Sequence, residues 1–250
     1  MHTHERRATR SGRRPLLERQ GAFGLPVCVL GQLSTKGVTV DVPVAPALRP
    51  QRVRAFVDFW NFQLSANDVL GRSFRPHWSS LSRWLGVEAA ALIPGVTASD
   101  LQFEGSTVYL SVGRGAGDVR LREWATRFLD RVAGVTVVVR ESVKKYPPVC
   151  QSCHRPVGTC GHCGVPLSLT EEKGVDVAIA TDMIELAWED AYDWAVLVSS
   201  DRDFIPAVEF LNAKGRKVLH AGFPPRGSDL AAKCWGSLDL RSYLRGLERT

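Results

Sequence analysis

The chain has 250 residues, of which 44% are hydrophobic and 23% charged, so its composition excludes a wholly disordered or fibrous protein. No stretch approaches the ~20 apolar residues of a membrane span, so we expect no membrane partner. The formal net charge is +6, but residues 1–20 carry +4 of it, which leaves about +2 for the rest of the chain. Charge alone is therefore a weak argument for a nucleic-acid partner.

The first 50 residues divide into two predicted segments. Residues 1–20 hold six arginines against two glutamates and lack the apolar core of a secretory signal, so we predict a disordered tail. The alternative for such an Arg-rich segment is a transit peptide. Residues 21–50 form an extension with four prolines and short β-like runs, such as Val38-Thr-Val-Asp-Val42, that we leave unassigned.

Residues 51–250 are predicted to form one domain in which strands alternate with helices. The predicted strands are 53–57, 107–112, 135–140, 195–199 and 217–221. The predicted helices lie near 77–85, 118–133, 175–190 and 203–213. Such alternation predicts an α/β domain with a mostly parallel sheet covered by helices on both faces. No internal repeat is visible.

Three aspartates follow two of the predicted strands. Strand 53–57 is followed by Asp58, and strand 195–199 is followed by Asp201 and Asp203. Ligands of parallel sheets bind beyond the carboxyl ends of the strands, so adjacent strands would bring these acids together. Two interpretations of these aspartates stay open. They could bind a divalent metal ion, or they could cap helices, because aspartate is favoured at the start of a helix. Two carboxylates this close repel each other unless a cation lies between them.

A fourth acid, Asp176, lies at the start of the helix predicted near 175–190. At about 100° per residue it shares a face with Ile179 and Met183, which we expect to pack against the sheet, where a charge is costly unless paired or metal-bound. The same projection places Asp182 on the opposite, solvated face. Four carboxylates match the oxygen ligands that Mg²⁺ or Mn²⁺ prefers. Such a cluster can activate water for phosphodiester cleavage.

Three motifs in this order resemble the NYN domain, a branch of the PIN-like nucleases, and most closely its bacterial LabA-like group. They are Asp58-x-x-Asn61, Glu172-Lys-Gly-Val-Asp-Val177 and Ser199-Ser-Asp-Arg-Asp-Phe204. The resemblance implies a Rossmann-like three-layer α/β/α PIN-like domain that hydrolyses RNA with Mg²⁺ or Mn²⁺. Carried over by position, it also implies the catalytic and metal-binding residues. The implied metal ligands are Asp58, Asp176, Asp201 and Asp203, with Asn61 orienting substrate or water.

Four of the six cysteines form two Cys-x-x-Cys pairs, Cys150 with Cys153 and Cys160 with Cys163. This spacing predicts an insertion over 146–168 that holds one tetrahedral Zn²⁺ through four thiolates. A nearby histidine could replace one thiolate, and the alternative to zinc is a set of unpaired structural cysteines. With no open coordination position, the zinc would be structural. Reduced cysteines indicate a reducing compartment, so we expect a cytoplasmic protein.

Basic and aromatic residues surround this insertion. They are Lys144, Lys145, Tyr146, Arg155 and Lys173. Basic side chains beside an aromatic ring suit single-stranded RNA, because its bases stack on such rings. The alternative is that these side chains only solvate a loop.

The leading hypothesis from the sequence is a metal-dependent ribonuclease. One alternative is a non-catalytic RNA-binding or scaffold protein, although a binder gains nothing from an unneutralised acidic cluster facing phosphates. Another is a nucleotide-sugar transferase, in which Asp-x-Asp after a strand coordinates Mn²⁺. That hypothesis gives Asp58, Asn61 and Asp176 no role.

Overall fold

The computed structural model describes residues 30–35, 38–43, 49–145, 148–150, 152–167, 169–171 and 174–249. The tail predicted over 1–20 lies outside the described residues. The described residues fall into two compact units, within Met1–Leu48 and Arg49–Thr250. The first contains an antiparallel hairpin of β1 (Leu30–Thr35) and β2 (Val38–Pro43). The β-like run that begins at Val38 is therefore a strand.

The second unit is built on a parallel sheet. The strands of the second unit are β3 (Gln51–Asp58), β4 (Leu101–Val112), β5 (Val135–Glu141), β6 (Val143–Lys145), β7 (Leu169–Glu171), β8 (Trp194–Val198), β9 (Lys217–Gly222) and β10 (Gly236–Asp239). Within the described residues, six of them form one sheet in the order β10-β9-β8-β3-β4-β5, and every neighbouring pair runs parallel. Strands β6 and β7 pair with each other, antiparallel.

Helices cover both faces of this sheet. They are α1 (Phe59–Leu70), α2 (Trp78–Leu92), α3 (Ala116–Arg127), α4 (Val175–Trp188), α5 (Ile205–Ala213) and the short α6 (Ser228–Ala231). Helices α1 to α3 pack on one face, where Phe62 and Leu85 share a core with Val57. Helices α4 and α5 pack on the other, where Ile179 lies in one core with Phe56. The predicted α/β/α layering is confirmed. None of the helices in the described part of the chain is long and apolar enough to cross a bilayer.

The order of the strands creates a crevice at one edge of the sheet. The chain builds β3, β4 and β5 outward in one direction, returns through α4, and adds β8, β9 and β10 on the other side of β3. The order therefore reverses between β3 and β8, so the connections that leave their carboxyl ends diverge. In open parallel sheets, ligands bind at such a switch point.

Helix α1 was absent from the predicted elements, although it starts directly after Asp58. Its sequence, FWNFQLSANDVL, opens with aromatic residues and contains two asparagines, a serine and an aspartate, which are weak helix formers. The buried positions Phe59, Phe62, Ser65 and Ala66 nevertheless follow a helical period. Packing against the sheet thus decides this helix over local propensity.

Asp182 faces the sheet, so its predicted position on a solvated face was wrong. The hydroxyl of the buried Tyr109 on β4 donates a hydrogen bond to Asp182 Oδ2 at 2.8 Å. Burial, and then this bond, raise the pKa of Tyr109. The buried face of α4 is formed by Val175, Ile179 and their neighbours. At 100° per residue, the centre of this face lies about 80° around the helix axis from the centre of the predicted face. The error arose because α4 is apolar on most sides, so polarity does not mark its solvent face.

Replacing Asp182 with alanine is expected to lower the free energy of unfolding by about 1–3 kcal/mol, because a buried hydroxyl loses its acceptor. Urea denaturation measures the change. Adding Tyr109→Phe to the Asp182→Ala variant removes both partners and is expected to restore much of the loss. A double variant that is less stable than Asp182→Ala would contradict this role of the hydrogen bond.

Candidate active site at the carboxyl edge of the sheet

Asp58 joins the ends of two strands to the first turn of α1. It is the last residue of β3 and is buried, with 6% of its surface exposed. One carboxylate oxygen accepts the backbone N–H of Asn61 at 3.2 Å and caps α1. The other accepts the hydroxyl of Ser199, just beyond β8, at 3.2 Å. The acid after the first predicted strand is thus both a helix cap and a link between β3 and β8.

The loop after β8 is held by hydrogen bonds to its backbone. The N–H of Ser200 donates to Asn61 Oδ1 at 2.9 Å, and the N–H of Asp201 donates to the Ser199 hydroxyl oxygen at 3.2 Å. Asp201 then accepts the N–H of Asp203 at 2.9 Å and begins the short 3₁₀ turn Arg202–Phe204. Asp201 is therefore a cap as well. Capping occupies one lone pair of a carboxylate and leaves others for a ligand.

A polar cleft of about 380 Å³ opens beside this loop at the switch point. Its lining residues are Asn61, Ser200, Asp201, Arg202, Gly227, Ser228 and Asp229. Two charged residues among them, Arg202 and Asp229, were not singled out in the sequence. Arg202 could have been recognised in the sequence, because it is a positively charged residue between two predicted metal ligands, Asp201 and Asp203. Asp229 lies in the first turn of the short helix α6, which was absent from the predicted elements, so the reasoning that singled out Asp176 did not reach it.

The other two predicted acids, Asp176 and Asp203, are exposed. Asp176 lies in the first turn of α4, between the buried Val175 and Ala178, so the expectation that it packs against the sheet was wrong. The same rotation of α4 that turns Asp182 toward the sheet moves Asp176 to the flank of the packed face. Helix α4 nevertheless packs against the turn Arg202–Phe204, so Asp176 and Asp203 lie on neighbouring elements.

The fold brings the elements that carry the four predicted acids close to one another. Across the described ranges, no group of three or more His, Cys, Asp or Glu side chains could hold a metal ion. The strand ends of β3 and β8 are adjacent, which is the condition for the predicted convergence of the acids, and Asp58 reaches Asp201 through Ser199. The four-acid metal site stays a prediction.

The predicted RNA-contact residues border an insertion that starts at the same edge. Strand β5 is parallel to β4 and β3, so its carboxyl end lies at the edge of Asp58, and β6 follows it directly. The backbones of Lys144 and Lys145 lie in β6, and Arg155 is exposed. Tyr146 and Lys173 lie outside the described residues.

The two Cys-x-x-Cys segments form the same turn twice. In each turn, the backbone carbonyl of the first cysteine accepts the N–H of the residue four positions later. The N–H of the same cysteine donates to the carbonyl of the residue five positions later. These bonds are His154 to Cys150, Cys150 to Arg155, Gly164 to Cys160 and Cys160 to Val165, at 2.8–2.9 Å. Segments 148–157 and 158–167 are thus a structural repeat. It was not visible in the sequence because only two cysteines and one proline recur.

Backbone amides interact with the first thiol of each turn. The N–H groups of Cys153 and Ser152, and then the Cys153 thiol, lower the pKa of Cys150. The corresponding groups of Cys163 and His162 lower the pKa of Cys160. Both cysteines are thereby biased toward the thiolate, the form that binds metal. The four-cysteine zinc site also stays a prediction, because these described cysteines belong to no group of three or more side chains that could hold a metal ion.

A comparison with protein families identifies the domain that has this fold. The NYN domain matches residues 52–239. None of the curated proteins matches the chain. Among solved structures, a protein of unknown function from Vibrio parahaemolyticus is similar with a TM-score of 0.48 and 17% sequence identity, over 78% of this chain and 96% of that one. Because the NYN match runs from β3 to β10, the chain belongs to the NYN domain family, a branch of the PIN-like nucleases.

Proposed function

We propose that this protein is a metal-dependent ribonuclease that hydrolyses phosphodiester bonds of RNA in the cleft beyond β3 and β8. The observation that carries the proposal is the buried carboxylate of Asp58, linked through Ser199 to the loop that bears Asp201 and Asp203. This network lies at the topological switch point of an NYN domain, where a substrate can reach it.

The donors at this edge suit Mg²⁺ or Mn²⁺, because they are carboxylate, hydroxyl and amide oxygens. Asp58 and Asp201 would hold the ion, and Asp176 and Asp203, on the elements beside them, would complete its ligands. When bound, a divalent ion supplies activation of a water molecule and neutralisation of charge on the phosphate. Asn61 and Ser199 keep the two loops in register, and Arg202 presents a guanidinium at the rim of the cleft.

Single-stranded RNA is the substrate that the surroundings of the cleft favour. Lys144, Lys145, Tyr146, Arg155 and Lys173 lie within or beside the insertion that leaves the sheet at the edge of Asp58. Their ammonium and guanidinium groups would bind phosphates, and the tyrosine ring would stack on a base.

The two Cys-x-x-Cys turns are proposed to bind one structural Zn²⁺ through Cys150, Cys153, Cys160 and Cys163. The repeat presents two equivalent pairs of thiols, and two such pairs supply the four ligands of a closed tetrahedral site. The described cysteines are free thiols, which suits a reducing compartment, and we propose a cytoplasmic location. Within the NYN family, the three motifs around Asp58, Asp176 and Asp201 favour the LabA-like group.

Incubation of the purified protein with labelled single-stranded RNA tests the function. Cleavage is expected with Mn²⁺ or Mg²⁺ and is expected to stop in excess EDTA, because the carboxylate site loses its ion. Since EDTA also removes zinc, the control is to restore Mn²⁺ alone, which should recover cleavage. A duplex of the same sequence should be cleaved more slowly. Undiminished cleavage in excess EDTA would contradict the proposal.

A further inference from the structure

His220 is a buried histidine directly behind the candidate active site. It lies on β9, and 1% of its surface is exposed. Its Nε2 lies 3.0 Å from the backbone oxygen of Ser199, and its Nδ1 lies 2.8 Å from the hydroxyl of Ser237 on β10. Because a carbonyl oxygen only accepts, Nε2 carries the proton and donates it to Ser199. Ser237 then donates to Nδ1 of the neutral ring.

The backbone around the ring leaves no room for side chains. A Cβ added to Gly222 would lie 2.6 Å from His220 Cε1. A Cβ added to Gly227, whose φ is +74°, would lie 2.9 Å from Ser200 Cα and 3.1 Å from His220 Nε2. The ring and the loop after β8 are therefore packed against these two glycines. Burial lowers the pKa of His220, although its bond to Ser199 opposes that effect, so the neutral ring is favoured.

Ser199 connects this histidine to both acids of the loop network. Its carbonyl accepts from His220, its hydroxyl donates to Asp58, and the same hydroxyl oxygen accepts the N–H of Asp201. A shift of the Ser199 peptide would therefore move the hydroxyl that joins the Asp58 carboxylate to the backbone N–H of Asp201. Neither Asp58 nor Asp201 could keep its present bond to Ser199 if that peptide turned.

We propose that His220, oriented by Ser237, is a positioning residue that fixes the Ser199 peptide and through it the spacing of Asp58 and Asp201. The catalytic part of this inference rests on the proposed ribonuclease function, but the effect on the loop does not. No motif pointed to His220 in the sequence, where it is a single histidine in the apolar strand Lys217–Gly222. Its signal is tertiary, because Ser237 is its cross-strand partner in the register of β9 and β10.

Three variants separate positioning from simple core packing. His220→Gln keeps an N–H donor near the position of Nε2, His220→Leu fills similar space without one, and Ser237→Ala leaves the ring but removes the partner of Nδ1. In His220→Leu we expect kcat for RNA to fall about 10-fold or more, the range found when a group that orients metal ligands is lost. KM should change little, and His220→Gln should recover most of kcat.

Two further measurements do not need cleavage. Mn²⁺ titration should show weaker binding in His220→Leu than in His220→Gln, and amide hydrogen exchange over 199–203 should be faster in His220→Leu and Ser237→Ala than in the parent. Ser237 is exposed, so its alanine variant is expected to fold even if His220→Leu does not. Exchange over 199–203 that is equal in Ser237→Ala and the parent, with equal Mn²⁺ affinity in His220→Leu and His220→Gln, would overturn the positioning role. A parent that cleaves no RNA would refute the proposed function, while exchange over 199–203 would still decide the role of His220.

Discussion

Replacing Asp201 with asparagine is expected to slow RNA cleavage at least about 100-fold, while the free energy of unfolding stays within about 0.5 kcal/mol of the parent. Asparagine caps a helical turn as well as aspartate does, and its side-chain oxygen can still accept the N–H of Asp203. Only the negative charge is lost. Partners that merely orient metal ligands contribute about 10–100-fold, so a direct ligand should contribute at least the upper value.

Asp239 offers a matched control for this substitution. It ends β10 as an acid that caps a 3₁₀ turn, and its carboxylate accepts the N–H of Arg241 at 3.0 Å, as that of Asp201 accepts the N–H of Asp203. The Arg241 guanidinium, which bonds to the same carboxylate, lowers the pKa of Asp239. Asp239→Asn should therefore change stability slightly and cleavage not at all.

The pair of variants decides between a cap and a metal ligand. If Asp201→Asn cleaves RNA at the rate of Asp239→Asn, Asp201 is a cap only, and its charge has no catalytic role. Absence of cleavage in the parent and in both variants would instead favour the non-catalytic RNA-binding protein, because a binder needs the shape of the loop but not its charge. Rates for both variants are measured on the same labelled RNA at saturating Mn²⁺, and unfolding is followed in urea.

The parent protein is expected to retain about one Zn²⁺ per chain after dialysis and little Mg²⁺ or Mn²⁺, because thiolates hold zinc far more tightly than carboxylates hold hard ions. Replacing both Cys160 and Cys163 with serine removes one complete pair of ligands and should release the zinc. The free energy of zinc binding is coupled to ordering of the insertion, so 146–168 should become sensitive to protease. Elemental analysis and limited proteolysis measure both effects.

Cleavage and RNA binding should respond differently to this double variant. The acids lie on β3, the loop after β8 and α4, so residual cleavage of short RNA is expected to remain. RNA affinity should fall if Lys144 and Lys145, beside the insertion, contact the strand. Lost zinc with unchanged RNA affinity would leave the insertion as a structural element only.

Cys234 provides the matched control for the loss of thiols. It lies outside the repeat, is partly buried, and burial raises its pKa to about 12, so it is a poor metal ligand at neutral pH. Cys234→Ser should keep the zinc of the parent. Parental zinc in the Cys160→Ser, Cys163→Ser variant would refute the four-thiolate assignment.

The sequence by itself determined five of the six described strands of the parallel sheet and placed their carboxyl ends to within one residue, but it did not predict β10. A parallel sheet buries both faces, so its strands are nearly continuous apolar runs, such as Trp194–Val198, in which every residue is buried. The same runs show where each strand stops, and therefore that Asp58 and Asp201 lie at the carboxyl edge. Both observations are local, which is why a single sequence was enough to predict the layers and the edge that holds the cleft.

Only the tertiary structure decided how these local elements meet. It placed β8 beside β3, which makes Ser199 a neighbour of Asp58, and it turned α4 so that Asp182 faces Tyr109 while Asp176 is exposed. Helix α1 forms although its residues are weak helix formers. These outcomes depend on contacts between residues far apart in the chain, and the rotation of an apolar helix or the partner of a buried histidine leaves no periodic signal in the sequence.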